Sequence, residues 1–504
     1  MTSELLDMDR VRIDPAWALR VPAQLALRRL VLPFALFDGR VHVACADPSD
    51  ATAFEAVERF TGQKACPALA ERTSLLRALQ RIFGDAPRAG PSRSSTRLPV
   101  IGANGRAPEV TEDAVTLSED ILRAAIIRQA SDIHIEPGRA NVRVRFRVDG
   151  QLEEYMTLPL SAEMGLISRL KVRSGMDIAE KRAPQDGGFN QRIGGTAVVG
   201  ENPRGIDVRV ATLPTKFGER MTLRLLGLQT GTLTLEKLGM AEADLRRMET
   251  VLDQPHGLVL LTGPTGSGKT TTLYAAIQRL LQQSALNIIT VEDPIEYELP
   301  GVSQVEVDTA EKVNFTKALR SLLRHDPDVV MIGEIRDPDT LDVAIKSALT
   351  GHLVLSTLHT NGAAAAITRL SDMGLEPFMS AATLRLSAAQ RLVRRLCAHC
   401  RKPRALSEAE AAALGDRAAA GRTVFEPGAC VYCAGKGYAG RVGLFELLPM
   451  DADFAGMIGR KASEAELTAA MKARKVPLLI DDAREKIFAG ETTVRETLQA
   501  VTVW

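Results

Sequence analysis

Gly257-Leu258-Val259-Leu260-Leu261-Thr262-Gly263-Pro264-Thr265-Gly266-Ser267-Gly268-Lys269-Thr270-Thr271-Thr272-Leu273-Tyr274-Ala275-Ala276-Ile277 decides the fold. The first six residues are a short apolar run, as a buried strand requires. Gly263 to Thr270 then follow the pattern GxxxxGK[ST], and a helical stretch follows them. Each residue type has a task there. The glycines let the backbone wrap close to phosphate oxygens and aim N–H groups at them. The start of the helix adds partial positive charge. Lys269 is placed to reach the β and γ phosphates, and the Thr270 hydroxyl to ligate Mg²⁺. Gly263, Pro264, Thr265, Gly266, Ser267, Gly268, Lys269 and Thr270 are therefore the candidate ATP-binding residues.

Such a loop needs an acid near the metal and a group that positions water. Downstream, Asp328-Val329-Val330-Met331-Ile332-Gly333-Glu334 reads as an apolar strand ending in an acid. Glu334 is the candidate to hold Mg²⁺, directly or through water. Ile288-Ile289-Thr290-Val291 is a further strand, and it runs into Glu292-Asp293-Pro294-Ile295-Glu296. A base for water has to sit at a strand end facing the γ-phosphate. Glu292 fits best, with Asp293 and Glu296 as alternatives. Leu353 to Thr360 forms another strand with a polar end, where His359 is a candidate to contact the γ-phosphate or relay its loss.

Working outward, residues from Leu238 to about Arg395 alternate short β-rich runs with helices, the pattern of a parallel α/β sheet. Residues 111 to about 236 read as a mixed α/β domain. Helical spacing runs through Val115, Ile121, Leu122, Ala125 and Ile126, with Ser118 a gap in the apolar stripe. Val142, Val144, Phe146 and Val148 then alternate with Arg143, Arg145 and Arg147, and Asp149-Gly150 turns the chain into a hairpin. Arg220 and Arg224 share one face of a second alternating strand. By spacing alone these arginines belong to a solvated sheet face. Residues 85–110, with Ala86-Pro87-Arg88-Ala89-Gly90-Pro91, have the composition of a linker. Residues 1–84 form a small α/β module with a strand at Val41–Ala46, then a helix near Phe54–Phe60, and no visible chemistry.

A chain of 504 residues is long enough for roughly three domains. It is 45% hydrophobic and 25% charged with net charge +1, so no global field draws it to nucleic acid or an anionic membrane. Aromatics at 4% argue against a nucleic-acid channel lined with stacking rings. The N-terminus has no apolar signal region and no apolar run approaches a membrane span, which predicts a cytoplasmic protein. Two of the six cysteines, Cys45 and Cys66, stand alone. The others form two pairs, Cys397-x-x-Cys400 and Cys430-x-x-Cys433. Two such knuckles can give four thiolates to one tetrahedral Zn²⁺. The gap of 29 residues (401–429) is longer than in a usual zinc ribbon. His399 can stand in for a thiol, and a redox role fits poorly because neither pair begins a thioredoxin-like unit.

In order, Gly263–Thr270, Thr290–Tyr297, Met331–Asp337 and Thr350–Thr360 resemble the Walker A, Asp, Walker B and His boxes of secretion ATPases of the GspE/PulE type. Ala130–Pro137, Arg182–Gly187, Leu213–Arg220 and Gly440–Leu447 agree with that family too. The resemblance covers roughly residues 110–504, and residues 1–84 more loosely. It implies an α/β chain: a small N-terminal docking domain (1–84), a flexible linker (85–110), a PAS-like domain (111–236), a RecA-like P-loop NTPase core (237–395), a tetracysteine zinc subdomain (396–434) and a C-terminal helical region (435–504). It further implies a homohexamer with nucleotide between the two ATPase domains, and makes Arg209, Arg220 and Arg224 candidates to neutralise γ-phosphate charge. Cys397, Cys400, Cys430 and Cys433 become the expected zinc ligands. The implied activity is ATP hydrolysis that drives pseudopilus assembly in type II secretion. The implied partners are the cytoplasmic domain of an inner-membrane secretion protein and an inner-membrane platform protein, with the chain held peripherally at the membrane. Type IV pilus assembly is the nearest alternative. A nucleic-acid motor and a nucleotide-gated scaffold that scarcely hydrolyses ATP are rivals of other classes.

Overall fold

The computed structural model describes residues 5–84, 114–192, 205–227, 234–283, 285–307 and 315–501. The expected linker at 85–110 and helix start at Thr111–Asp113 lie outside the described residues. The chain divides into two compact units. One comprises residues 1–230 with 428–440, the other 231–427 with 441–504.

The first unit holds two sheets. Strands β1 (Val31–Phe37), β2 (Arg40–Cys45) and β3 (Lys64–Leu69) make the smaller one, with β1 antiparallel and β3 parallel to β2. The helix Ala51–Thr61 makes the β2–β3 crossover and contains the helical stretch expected near Phe54–Phe60. Asp50 accepts a hydrogen bond from the Ala53 N–H (3.1 Å) at its start, and Gly62 closes it in the left-handed region. The larger sheet is antiparallel: β4 (Asp132–Pro137), β5 (Asn141–Val148), β6 (Gln151–Pro159), β7 (Gln185–Arg192), β8 (Gly205–Thr215) and β9 (Gly218–Leu226), in the order β6-β5-β4-β9-β8-β7. Val142, Val144, Phe146 and Val148 are buried in one core with residues of the helices Ala114–Ile127 and Glu163–Arg173. The arginines between them take the other face, as the period of two requires. Ser118 is not a gap in the helix stripe: it is buried, and its Oγ donates to the Val115 carbonyl at 2.8 Å.

The second unit is built on a seven-stranded sheet. Its strands are β10 (Gly257–Thr262), β11 (Ile288–Glu292), β12 (Ser303–Glu306), β13 (Val329–Ile332), β14 (Leu353–Leu358), β15 (Leu384–Leu396) and β18 (Tyr438–Pro449), in the order β12-β11-β13-β14-β10-β15-β18. The pairings among β10 to β15 are parallel. Consecutive apolar residues are explained by cores on both faces. Leu258 and Leu260 enter one buried cluster and Val259 and Leu261 the other, and Val330 and Met331 divide in the same way. Between β15 and β18 lie the antiparallel pair β16 (Lys402–Ala405) and β17 (Thr423–Glu426). Four helices end the chain: Ala452–Gly459, Glu464–Ala473, Leu479–Phe488 and Val494–Val501. A capping box formed by Ser463 and Glu466 opens the second of them. The region after the cysteines thus begins with a strand of the main sheet and only then turns helical. Among the described residues no helix is long and apolar enough to cross a membrane.

Candidate nucleotide site

Register brings the candidate residues together. Thr262 at the end of β10 pairs with Leu358 at the end of β14, and the Gly263 N–H donates to the Leu358 carbonyl (3.3 Å). Ile332 of β13 pairs with Ser356, and Val291 of β11 with Ile332. The loop 263–270, Glu292, Glu334 and His359 therefore all leave the sheet at its carboxyl edge, where open α/β sheets bind ligands.

Within the loop, two glycines are required by space and backbone. A Cβ on Gly263 would lie 2.4 Å from the Gln390 carbonyl oxygen, and one on Gly268 2.9 Å from Gln390 Nε2, both at positive φ. Pro264, Thr265 and Gly266 are exposed, and Thr270 is half-buried in the first turn of the helix Lys269–Gln283. Lys269 is nearly buried, and its Nζ donates to the carbonyls of Gly263 (2.8 Å) and Pro264 (3.2 Å). Burial, and then the charge of Arg391, push its ammonium down to about 8. The buried Ser267 Oγ has no hydrogen-bond partner. A hydroxyl lacking a partner, an ammonium short of counter-charge and the amides of a helix start suit a phosphate chain.

Glu292 is 2% exposed and accepts from Thr290 Oγ1 (2.6 Å), Gln304 Nε2 (3.1 Å) and the Tyr274 hydroxyl. Burial, then the neighbouring Glu292, push the Tyr274 phenol strongly up, so it stays a donor. Asp293 instead faces Arg336 at 3.5 Å, and the Glu296 N–H donates to the Tyr274 hydroxyl (3.3 Å). Two strand residues of β14 fix the turn that carries Glu334: Ser356 Oγ donates to the Ile332 carbonyl and Thr357 Oγ1 to that of Gly333, each at 2.8 Å. Glu334 contacts Arg336 on one oxygen, and its other oxygen lies 2.9 Å from His359 Nε2. Burial, then Lys269 and Arg336, hold His359 below its usual range. A neutral ring that donates through Nε2 to Glu334 keeps Nδ1 as an acceptor.

The sequence reading missed Tyr274, Gln304, Arg336, Gln390 and Arg391. Arg391 is 5% exposed, and its guanidinium donates to the carbonyls of Asn361 (2.8 Å) and Gln390 (3.0 Å) beside Gly263. The stretch Arg391-Leu392-Val393-Arg394-Arg395 gave no signal that the first of its arginines is buried.

The arginine candidates belong to the first unit. Glu136 sits 2.7 Å from Arg145, 2.9 Å from Arg220 and 3.8 Å from Arg143. Asp132 sits 3.2 Å from Arg224 and 3.6 Å from Arg147. Arg209 lies opposite Arg224 across β8 and β9 and pairs with Asp207 at 3.0 Å. Six arginines thus gather around Glu136, Asp132 and Asp207 on this face.

The sulfur atoms of Cys397, Cys400, Cys430 and Cys433 all lie within 4.8 Å of one another. Zn–S bonds of about 2.3 Å at tetrahedral angles put thiolates about 3.8 Å apart, so the group has the size of a zinc site. Cys430 and Cys433 Sγ are 3.6 Å apart, too far for a disulfide, and the Gly437 N–H donates to Cys433 Sγ (3.1 Å). His399 is not a member of this group.

Comparison with known proteins gives the following. Residues 110–499 match the family model described as Type II/IV secretion system protein, and residues 2–89 match the MshEN domain. Type II secretion system protein E of Pseudomonas aeruginosa is 41% identical, with 99% of each chain covered. Type IV pilus assembly ATPase PilB of Myxococcus xanthus is 38% identical over 96% of this chain and 87% of its own. Among solved structures, the pilus retraction motor PilT with bound ADP is similar, with a TM-score of 0.52 and 26% identity over 78% of this chain and 95% of its own.

Proposed function

The chain belongs to the Type II/IV secretion system protein family and is an ATPase; from that premise we propose that it is the motor of a type II secretion system, working as a homohexamer. The observation that carries this reading is the convergence of the phosphate loop, Glu334 and His359 on one sheet edge, with Glu334 and His359 2.9 Å apart. Lys269 and the loop amides hold the phosphates, and Thr270 and Glu334 would hold Mg²⁺, which would supply charge neutralisation there. Glu292, oriented by Thr290, Gln304 and Tyr274, takes a proton from the attacking water. The water oxygen bonds to the γ-phosphorus, and ADP departs. Arg209, Arg220 and Arg224 neutralise the charge that develops on the γ-phosphoryl oxygens. Neutral His359 reports the loss of the γ-phosphate to the elements around it.

In this reading residues 1–84 dock on the cytoplasmic domain of an inner-membrane secretion protein, and the motor also meets an inner-membrane platform protein. It is then cytoplasmic and peripherally attached. The segments 111–236, 237–395, 396–434 and 435–504 act as PAS-like domain, RecA-like core, zinc subdomain and C-terminal helical region. The four clustered cysteines would hold zinc as thiolates. Type IV pilus assembly is the second reading, favoured by the extended similarity to the Myxococcus relative.

Replacing Glu334 with glutamine at the native locus separates these readings. Secreted proteins should vanish from the medium while surface pili remain. Loss of pili with secretion intact would assign the chain to pilus assembly, and no change in either would remove the motor reading. Nucleotide affinity should also depend on pH. Lys269 adds its attraction to that of the loop amides only while it is charged, and burial lowers its ammonium to about 8. The Kd for ADP should therefore rise about tenfold per pH unit above pH 8. Calorimetric titration from pH 7 to 9.5 checks this, and a flat profile would contradict it.

A further inference from the structure

Gly440–Leu447 matches the family, yet nothing above gives it work. Its glutamate does not behave like an ordinary strand residue. Glu446 lies in β18, 8% exposed, and each carboxylate oxygen is committed to a different helix. Oε1 accepts from the Ala363 N–H at 2.9 Å, and Oε2 from the Leu479 N–H at 3.1 Å. Ala363 is the first residue of the helix Ala363–Asp372, and Leu479 the first of Leu479–Phe488. Neither helix has a capping side chain of its own that reaches Ala363 or Leu479, so one carboxylate does this for both.

The first of these helices begins four residues after His359. The intervening backbone is fixed from its other side as well. The Thr360 N–H donates to Thr262 Oγ1 (2.9 Å), the Asn361 carbonyl accepts from Arg391 (2.8 Å), and Ser387 Oγ donates to the Ala363 carbonyl (2.8 Å). Arg391 in turn packs beside Gly263, where an added Cβ would lie 3.1 Å from its Nη1. Burial pushes the Glu446 carboxyl up and the Arg391 guanidinium down, and each of these charges opposes the other's shift. A single line of contacts thus runs from the helix Leu479–Phe488 through Glu446 and Asn361–Ala363 to Arg391 and the mouth of the phosphate loop.

We propose that Glu446 is a positioning residue for ATP hydrolysis, which holds His359 and Arg391 in place by tying the helix that follows His359 to the helix Leu479–Phe488. It touches no nucleotide. The inference rests on the nucleotide site described above, and loss of ADP binding in Lys269→Ala checks that site independently of Glu446.

The test uses the full-length chain with Glu446→Gln, Arg391→Gln and both together. Glutamine keeps the shape of Glu446 but can accept through one atom only. The expected result for Glu446→Gln is a kcat about 10- to 100-fold lower, the scale of a small misplacement, with the Kd for ADP within about threefold of the parent. The double variant should lose little more than the worse single variant, because both act on one line of contacts. Losses that multiply would overturn the proposal. So would an Glu446→Gln protein that melts earlier but turns over at the parental rate, since that is a structural role only. Should Glu446→Gln fail to fold, Arg391→Lys reads the same line. It keeps the charge and loses the two-pronged grip on Asn361 and Gln390, and the proposal requires the same fall in kcat at unchanged ADP affinity.

Discussion

Lys269→Ala should lower kcat/KM for ATP by about 10³-fold and weaken ADP binding, while the melting temperature moves by only a few degrees. The size follows from what the ammonium does. It is the one lysine in the loop, it is nearly buried, and it is bound only to the backbone carbonyls of Gly263 and Pro264. Carbonyl dipoles compensate a buried cation less well than a phosphate chain does, so much of its interaction energy is left for the ligand. Alanine removes that attraction and also releases the two carbonyls that shape the loop. The fold should survive because the strand and helix around the loop are packed by other residues: Val259, Leu261, Leu273 and Ile277 lie in one buried cluster. Steady-state kinetics with calorimetric ADP titration and a thermal melt decide the matter. Turnover within tenfold of the parent would show that phosphate is held elsewhere.

Zinc removal should have the second largest effect, and on stability rather than chemistry. The purified chain should carry one zinc per chain, and Cys430→Ser should bring this below about a fifth. Four thiolates at this spacing close the ion to water, and structural zinc contributes about 10–16 kcal/mol in small metal-dependent folds. Much of that is offset here, because Val431 is also buried in an apolar core. A net loss of about 3–5 kcal/mol would still lower the melting temperature by roughly 10 °C in a domain of this size. Metal analysis and calorimetry of parent and variant test this. A parent chain without zinc, or a variant as stable as the parent, would refute a structural metal.

The phosphate loop was legible because its chemistry is done by the backbone. Only glycine tolerates the approach of Gln390 to Gly263 and Gly268, so geometry is written directly into residue type. The parallel sheet was legible because strands buried on both faces are continuous apolar runs. Side-chain partnerships were not. Glu292 stands out as an acid at a strand end, but its hold by Tyr274 and Gln304 spans 18 and 12 residues and depends on how β11, β12 and the loop's helix pack. Arg391 and Arg394 look alike in sequence. In the fold Arg391 is buried among carbonyls, whereas Arg394 pairs with Glu496. Ser118 reads as a polar gap because a serine that satisfies its own hydroxyl on the preceding turn is indistinguishable, by periodicity, from one in water. Strand β18 escaped notice since Val442-Gly443-Leu444-Phe445 carries no alternation.

The distance along the chain between the loop and its floor also sets when the site can exist during synthesis. Thr272 meets Gln390 across 118 residues, and Ala363 waits for Glu446 across 83. At about 5–20 residues per second a ribosome takes roughly 6–24 s to travel from Thr272 to Gln390. Until then the loop protrudes from a sheet that lacks β15. A nascent chain therefore finishes most of its translation before the floor of the loop is in place.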